Sequence, residues 1–267
     1  MLELHEFESQ YFSGSHTDLA YLNAHFPRFL ETKRLFDMTC DPAKRQRVLD
    51  VGAHWLHQSL LWRDAGHSVV AADIPATLAL ADVKALADRN QISLVVYDRL
   101  DTGAALASIP DSSIDVVLFC EILEHITFNP IAFWGEVYRV LAPKGRVVVT
   151  TPNYYWIKGR AWDPARVIRR CGGGLSVAEI LRTPTYGPHW KEFSLREVVA
   201  YFQMISNDFV VVKSEYVSDP RDKVLPRNWL DRFITFVESL HRVFYWGLHV
   251  EIELKSKESG IAVTPQW

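Results

Sequence analysis

From residue 45 onward, apolar runs of strand length alternate with stretches whose apolar residues recur at helical spacing. RVLDVG (47–52), SVVAADI (68–74), ISLVVYD (92–98), SIDVVLFCE (113–121) and RVVVTTPN (146–153) are close to continuous apolar runs. That is the pattern of strands covered on both faces. Helical patterns lie between them at 57–67, 76–90 and 129–145. Gly66 and Asn90 stand at the first two helix ends, and a Pro-Lys-Gly turn follows the third. The order predicts an α/β fold with a doubly wound, Rossmann-like, mostly parallel sheet.

Both ends of the chain depart from this rhythm. Leu19, Leu22, Phe26, Phe29, Leu30 and Leu35 follow helical spacing, and Pro27 is expected to break or kink that run. Residues 1–44 are therefore read as a helical cap, and 45–153 as the core. Residues 154–192 have no clean period and read as a lid over the strand ends. Residues 193–267 return to the sheet: a helix at 194–205, then strands at 208–217 and 249–257 that form a closing antiparallel pair. Seven strands result, the last antiparallel. Between those two strands, a helix over 228–248 carries Trp229, Phe233, Phe236, Val237, Leu240, Val243 and Phe244 on one stripe. Such a stripe is expected to be core or a homodimer contact. A membrane-surface role is the lesser alternative, favoured only if the helix is exposed.

Ligands of open α/β sheets sit at the carboxyl ends of the strands. Here those ends carry Asp50 and Gly52, then Asp73, Asp98, Glu121 and Asn153.

Composition narrows the choice. The net charge of -3 over 267 residues counts against nucleic acid as the main partner. Three cysteines, with no CxxC pair, argue against a disulfide framework or a zinc site and for a reducing, cytoplasmic setting. The start MLELHEFESQYF lacks the basic and apolar regions of a signal peptide, and no apolar run is long enough to span a bilayer.

Five motifs in order carry a resemblance: VLDVG, VVAADI, SSIDVVLFCEILEHI, EVYRVLAPKGRVVVTTPN and GPHWKEFSLREV. Over roughly residues 45–217 the chain resembles the class I S-adenosylmethionine-dependent methyltransferases. The resemblance implies that Asp73 binds the cofactor ribose, with Ile74 beside it. Asp98, flanked by Tyr97 and Leu100, offers an acceptor for the adenine amino group. Gly52 lets backbone approach the methionine portion. Asp50 either bonds its ammonium or caps the next helix. Cys120 is counted with the same site. The family usually has glycine where this chain has His54 and Leu56. Either the loop works with His54 lining the pocket, or it is degenerate and the protein a scaffold. The missing GxGxxG pattern counts against a nicotinamide oxidoreductase.

CEILEHI is also similar to the E-x-x-E-H run of ubiquinone-biosynthesis O-methyltransferases. That resemblance implies Mg2+ held by Glu121, Glu124 and His125. Removing a proton from an acceptor hydroxyl needs a base, and His125 and His189 are the candidates, with Glu192 placed to orient His189. Residues 154–190 hold six bases (Lys158, Arg160, Arg166, Arg169, Arg170 and Arg182) against Asp163 and Glu179, interleaved with six Tyr and Trp residues. A basic, aromatic lid suits a phosphate-bearing or otherwise anionic acceptor such as a saccharide or a lipid-linked molecule. The expected reaction is O-methylation of a small molecule or glycan, with N- or C-methylation as the alternative.

Overall fold

The computed structural model describes residues 3–13, 17–41, 43–164, 168, 175, 181–182, 187, 189–218 and 228–263. About half of the expected lid, including Arg166, Arg169, Arg170, Cys171, Glu179 and Tyr186, lies outside the described residues.

Seven strands form one sheet: β1 (Arg47–Val51), β2 (Ser68–Asp73), β3 (Ser93–Val96), β4 (Ile114–Cys120), β5 (Leu141–Pro152), β6 (Phe209–Val217) and β7 (Gly247–Leu254). Their order is β3-β2-β1-β4-β5-β7-β6. β1 pairs parallel with β2, and β2 with β3, while β6 and β7 pair antiparallel. The expected fold class is what is found. The chain divides into two compact units, Met1–Leu118 with Ala132–Arg146, and Phe119–Ile131 with Val147–Trp267.

In the first unit β1 is buried from Val48 to Val51. Val48, Leu49 and Val51 each contribute about 1.5–3 kcal/mol on leaving water. Helix α1 (Leu4–Phe12) places Phe7 against Phe26 of α2 (Leu19–Asp37), with ring centroids 5.1 Å apart. The expected break at Pro27 does not occur, and α2 stays helical through it. The helix expected over 76–90 is instead α4 (Pro75–Leu78) and α5 (Ala81–Arg89). Leu80 between them is extended, at φ -65° and ψ 139°, which ends the first and opens the second. α3 spans His57–Asp64 and α6 spans Ile131–Val140. A Cβ on Gly145 would lie 2.7 Å from the Ala142 carbonyl oxygen, so the turn within β5 admits only glycine there.

In the second unit α7 (Leu195–Ile205) opens with a reciprocal cap, Ser194 with Glu197. β7 is buried almost throughout, and its His249 and Glu251 side chains bond each other at 3.0 Å. The aromatic helix is shorter than expected: α8 covers Trp229–Leu240 only. His241 turns extended at φ -158°, a short 3-10 turn follows at Arg242–Phe244, and residues 247 and 248 belong to β7. The stripe, expected to be core or a homodimer contact, is not core: it is exposed at Trp229, Phe233, Phe236 and Leu240.

Candidate active site

The first unit holds the acids and the loop after β1. Gly52 and Ala53 donate their N–H groups to the Ala72 carbonyl at 2.8 and 3.3 Å. Gly52 has φ 76°, His54 φ 49° and Leu56 φ 65°. His54 and Leu56 therefore hold the left-handed backbone that glycine normally supplies, at about 1–2 kcal/mol each for an L-residue. Two features offset that strain. Leu56 is fully buried at the start of α3. The His54 N–H donates to Asp73 Oδ2 at 2.6 Å, and the Ile74 N–H to Asp73 Oδ1 at 2.7 Å. Asp73 thus braces the loop from the end of β2. Burial raises its pKa, and the two backbone donors oppose that rise.

Asp50 lies buried beneath the loop and accepts the Ser59 hydroxyl at 2.6 Å. It does not cap α3, whose N-cap is Leu56. Burial pushes its carboxyl up to about 7; Ser59 lowers it and the neighbouring Asp73 charge raises it. The His54 ring packs on Tyr21 at 4.8 Å, and its pKa is lowered by burial. His57 shares a hydrogen bond with the Thr17 hydroxyl through Nε2 at 2.9 Å. Its charged form is suppressed, with the pKa down to about 3, first by burial and then by His54. β3 ends at Val96, so Asp98 lies two residues past the strand and is exposed, between buried Tyr97 and one exposed residue before buried Leu100.

The second unit holds the other candidates. Cys120 closes β4 half-buried. Glu121 follows at φ 57°, its N–H bonded to the Thr150 carbonyl at 2.8 Å and its Oε1 accepting the Thr150 hydroxyl at 2.9 Å. Glu124 and His125 sit in a 3-10 turn. Glu124 is wholly buried, and its Oε2 accepts the Thr151 hydroxyl at 2.9 Å. Its carbonyl accepts the Trp190 N–H at 2.8 Å, which joins the EILEHI turn to the GPHWKEF segment. The His125 and His189 rings then meet edge to face at 4.9 Å. Glu192 Oε1 is 3.6 Å from His189 Nδ1 and 3.4 Å from Arg160 Nε, while Arg160 Nη1 donates to the His189 carbonyl at 2.6 Å. Glu192 takes no part in capping α7, which Ser194 and Glu197 do between themselves.

Among the described residues, Glu124, His125 and His189 form a group with ligand atoms all within 4.8 Å of one another. The set the resemblance implied is therefore altered: Glu121 is not in it and His189 is. Magnesium takes oxygen ligands and keeps several waters. Two imidazoles with one carboxylate suit a borderline ion such as zinc instead, so magnesium does not fit this donor set. Thr150, Thr151 and Ser59 escaped the sequence reading. Their signal was present, since paired threonines closing an apolar strand are polar groups in need of partners.

The comparisons agree with the architecture. Residues 49–149 match the family model described as a methyltransferase domain. A probable S-adenosylmethionine-dependent methyltransferase of Mycolicibacterium smegmatis is 32% identical over 111 residues, 37% of this chain and 43% of that protein. The match thus spans less than half of that relative. Among solved structures, a chain of the complex between the Haloferax volcanii Trm112 methyltransferase activator and a methyltransferase superposes with a TM-score of 0.59 at 16% identity, covering 94% of this chain and 98% of that one. The Burkholderia thailandensis 1,6-didemethyltoxoflavin-N1-methyltransferase, bound to S-adenosylhomocysteine, superposes with a TM-score of 0.56 at 15% identity, covering 95% and 87%. At such identities these two speak for the fold alone. Motifs, family model, relative and topology agree: residues 49–149 form a methyltransferase domain of the class I S-adenosylmethionine-dependent type.

Proposed function

We propose that the chain methylates a small molecule or glycan from S-adenosylmethionine, at an oxygen of a saccharide or another anionic acceptor. One observation carries the cofactor half: the His54–Leu56 loop keeps the glycine-type backbone although both residues carry side chains, and Asp73 holds it there at 2.6 Å. A degenerate loop under no demand for that conformation would have no reason to keep two strained residues. In this reading Asp73 and Ile74 take the ribose, Gly52 and His54 the methionine portion, Asp50 the ammonium, and Asp98 the adenine edge, with Cys120 assigned to the same ligand.

Methyl transfer breaks the sulfonium–carbon bond as the acceptor oxygen forms its own bond to that carbon. The hydroxyl proton must leave. His189 is the proposed base, with Glu192 orienting its ring and His125 as the neighbouring imidazole. The support is the meeting of these rings at 4.9 Å and the Glu192–His189 contact of 3.6 Å. The anionic acceptor rests on the bases and aromatic residues of 154–190, of which Arg160, Lys158, Trp156 and Trp162 are described. N-methylation would need no strong base, so loss of both histidines would leave it nearly intact. A cytoplasmic setting belongs to the same proposal.

Calorimetric titration with S-adenosylmethionine and S-adenosylhomocysteine tests the cofactor half. The expected result is micromolar-range binding, on the order of -8 kcal/mol. Folded protein that binds neither ligand would return the scaffold reading to first place.

A further inference from the structure

Helix α8 is built inside out. Trp229, Phe233, Phe236 and Leu240 follow at steps of four, three and four residues, so they form one stripe along the helix. They are 77%, 56%, 58% and 62% exposed, and Leu230 beside them is exposed as well. The residues turned inward are Asp231, Ile234, Val237 and the buried Glu238. An amphipathic helix packed only for stability would show its other face. A contiguous aromatic stripe held in water calls for a partner.

Charge indicates which one. Among the described residues of 154–164 and 228–242, Lys158, Arg160, Arg232 and Arg242 stand against Asp163, Asp231 and the buried Glu238, whereas the whole chain holds 29 Lys and Arg against 32 Asp and Glu. The acidic excess therefore lies elsewhere. The first of these segments begins beside the end of α8. The Asn153 side-chain amide donates to the Val243 and Tyr245 carbonyls at 2.7 and 2.8 Å. The Ile157 N–H reaches the Phe244 carbonyl at 3.4 Å, and the Trp162 ring lies 6.1 Å from that of Phe244. Exposed Lys158, Arg232 and Arg242 thus belong to the same surface as the stripe.

We propose that α8 docks on an anionic lipid surface. It lies flat in the headgroup layer, with Trp229, Phe233, Phe236 and Leu240 inserted and the bases toward lipid phosphates. Among the described residues no helix is long and apolar enough to cross a membrane, so the contact is with the surface. A second copy of the chain is the less fitting occupant. A two-fold pairing of stripes would bring Lys158, Arg232 and Arg242 of both copies together. The proposal does not rest on the methyl-transfer reading, and its test uses neither cofactor nor acceptor.

The test is vesicle flotation of the full chain, with phosphatidylcholine alone and with phosphatidylcholine mixed with phosphatidylglycerol. Wild type should float with the anionic vesicles, stay behind with the neutral ones, and release as salt is raised. Phe233→Ser with Phe236→Ser should lower the bound fraction by at least about tenfold. Circular dichroism and melting should stay unchanged, because both rings face water. Three results would overturn the proposal. One is no flotation with anionic vesicles at low salt. Another is equal flotation of the double variant. The third is a dimer, seen by sedimentation equilibrium, that the same substitutions dissolve while vesicles leave it unaffected.

Discussion

The loop after β1 and the histidine cluster of the second unit hold their side chains in different ways. In the loop the bonds are short and buried: His54 to Asp73 at 2.6 Å, Ile74 to Asp73 at 2.7 Å, Ser59 to Asp50 at 2.6 Å. In the cluster the backbone is fixed as firmly, with Trp190 on Glu124 at 2.8 Å and Arg160 on the His189 carbonyl at 2.6 Å. The ionisable tips, however, stand further apart, at 3.4 to 3.9 Å among Arg160, Glu192, His189, Glu124 and His125. The loop spends its carboxylates on its own chain, although the His54 Nδ1 lies buried without a hydrogen bond. The cluster holds its ionisable tips at longer range from one another, an arrangement suited to a reacting group that approaches them.

The largest effect should come from the cluster. His189→Ala should lower kcat by about 100-fold or more, the range for general acid–base catalysis, and leave cofactor affinity alone. Glu192→Gln should lower kcat less and shift the pH–rate profile, since it acts through the His189 ring. Single-turnover kinetics beside calorimetry separates these readouts. Unchanged turnover in a His125→Ala, His189→Ala double variant would point to nitrogen as the methylated atom.

In the loop, Asp73→Ala removes two charged hydrogen bonds from the backbone and the proposed ribose contact. At about 1.5–3 kcal/mol for a charged hydrogen bond, the expected loss in S-adenosylmethionine affinity is about 100-fold. Affinity within threefold of wild type would mean that Asp73 braces the loop and does nothing else.

The comparison also bears on what the chain's pattern discloses. The strand positions along the chain, the parallel core and the strand-end acids followed from runs such as RVLDV and IDVVLFC, because burial on both faces leaves little choice of residue. Proximity across long sequence gaps did not follow. His125 and His189 are 64 residues apart in the chain, and the bond that joins their segments uses the Trp190 N–H and the Glu124 carbonyl, groups that every residue has. The orientation of α8 was equally hidden. Periodicity marks a stripe but not the side that faces water, and the stripe, expected to be core or a homodimer contact, is not core. His54 and Leu56 looked like a loss of function in sequence only because glycine is the usual holder of φ above zero.

Asp50 offers a smaller effect that pH reads directly. Burial raises its folded pKa to about 7, while the unfolded chain titrates near the ordinary ~3.9. Between those values the folded state keeps a proton that the unfolded state has lost. Stability therefore falls as pH rises through that window, by up to about 1.4 kcal/mol per pH unit, and levels off above it. Asp50→Asn keeps an acceptor for Ser59 but does not titrate. Relative to wild type it should be more stable at pH 8 than at pH 5, as read by urea unfolding. A difference independent of pH would show that Asp50 is better solvated than its burial suggests.

The finest cut falls inside the loop. His54→Gly relieves a left-handed residue worth about 1–2 kcal/mol, adds about 0.5–1 kcal/mol of backbone entropy cost, and loses the Tyr21 contact. These terms nearly cancel, so stability should stay within about 1 kcal/mol of wild type. Leu56→Gly relieves the same strain but empties a fully buried site, at about 2–5 kcal/mol, and should destabilise clearly. In His54→Gly the backbone N–H that Asp73 holds is retained, so the loop keeps its brace and only the ring is lost. A cofactor affinity about tenfold weaker, with the melting temperature unchanged, would assign the ring to the pocket wall. Unchanged affinity would make His54 a residue that matters through its backbone alone, with the loop functional for the same reason a glycine loop is.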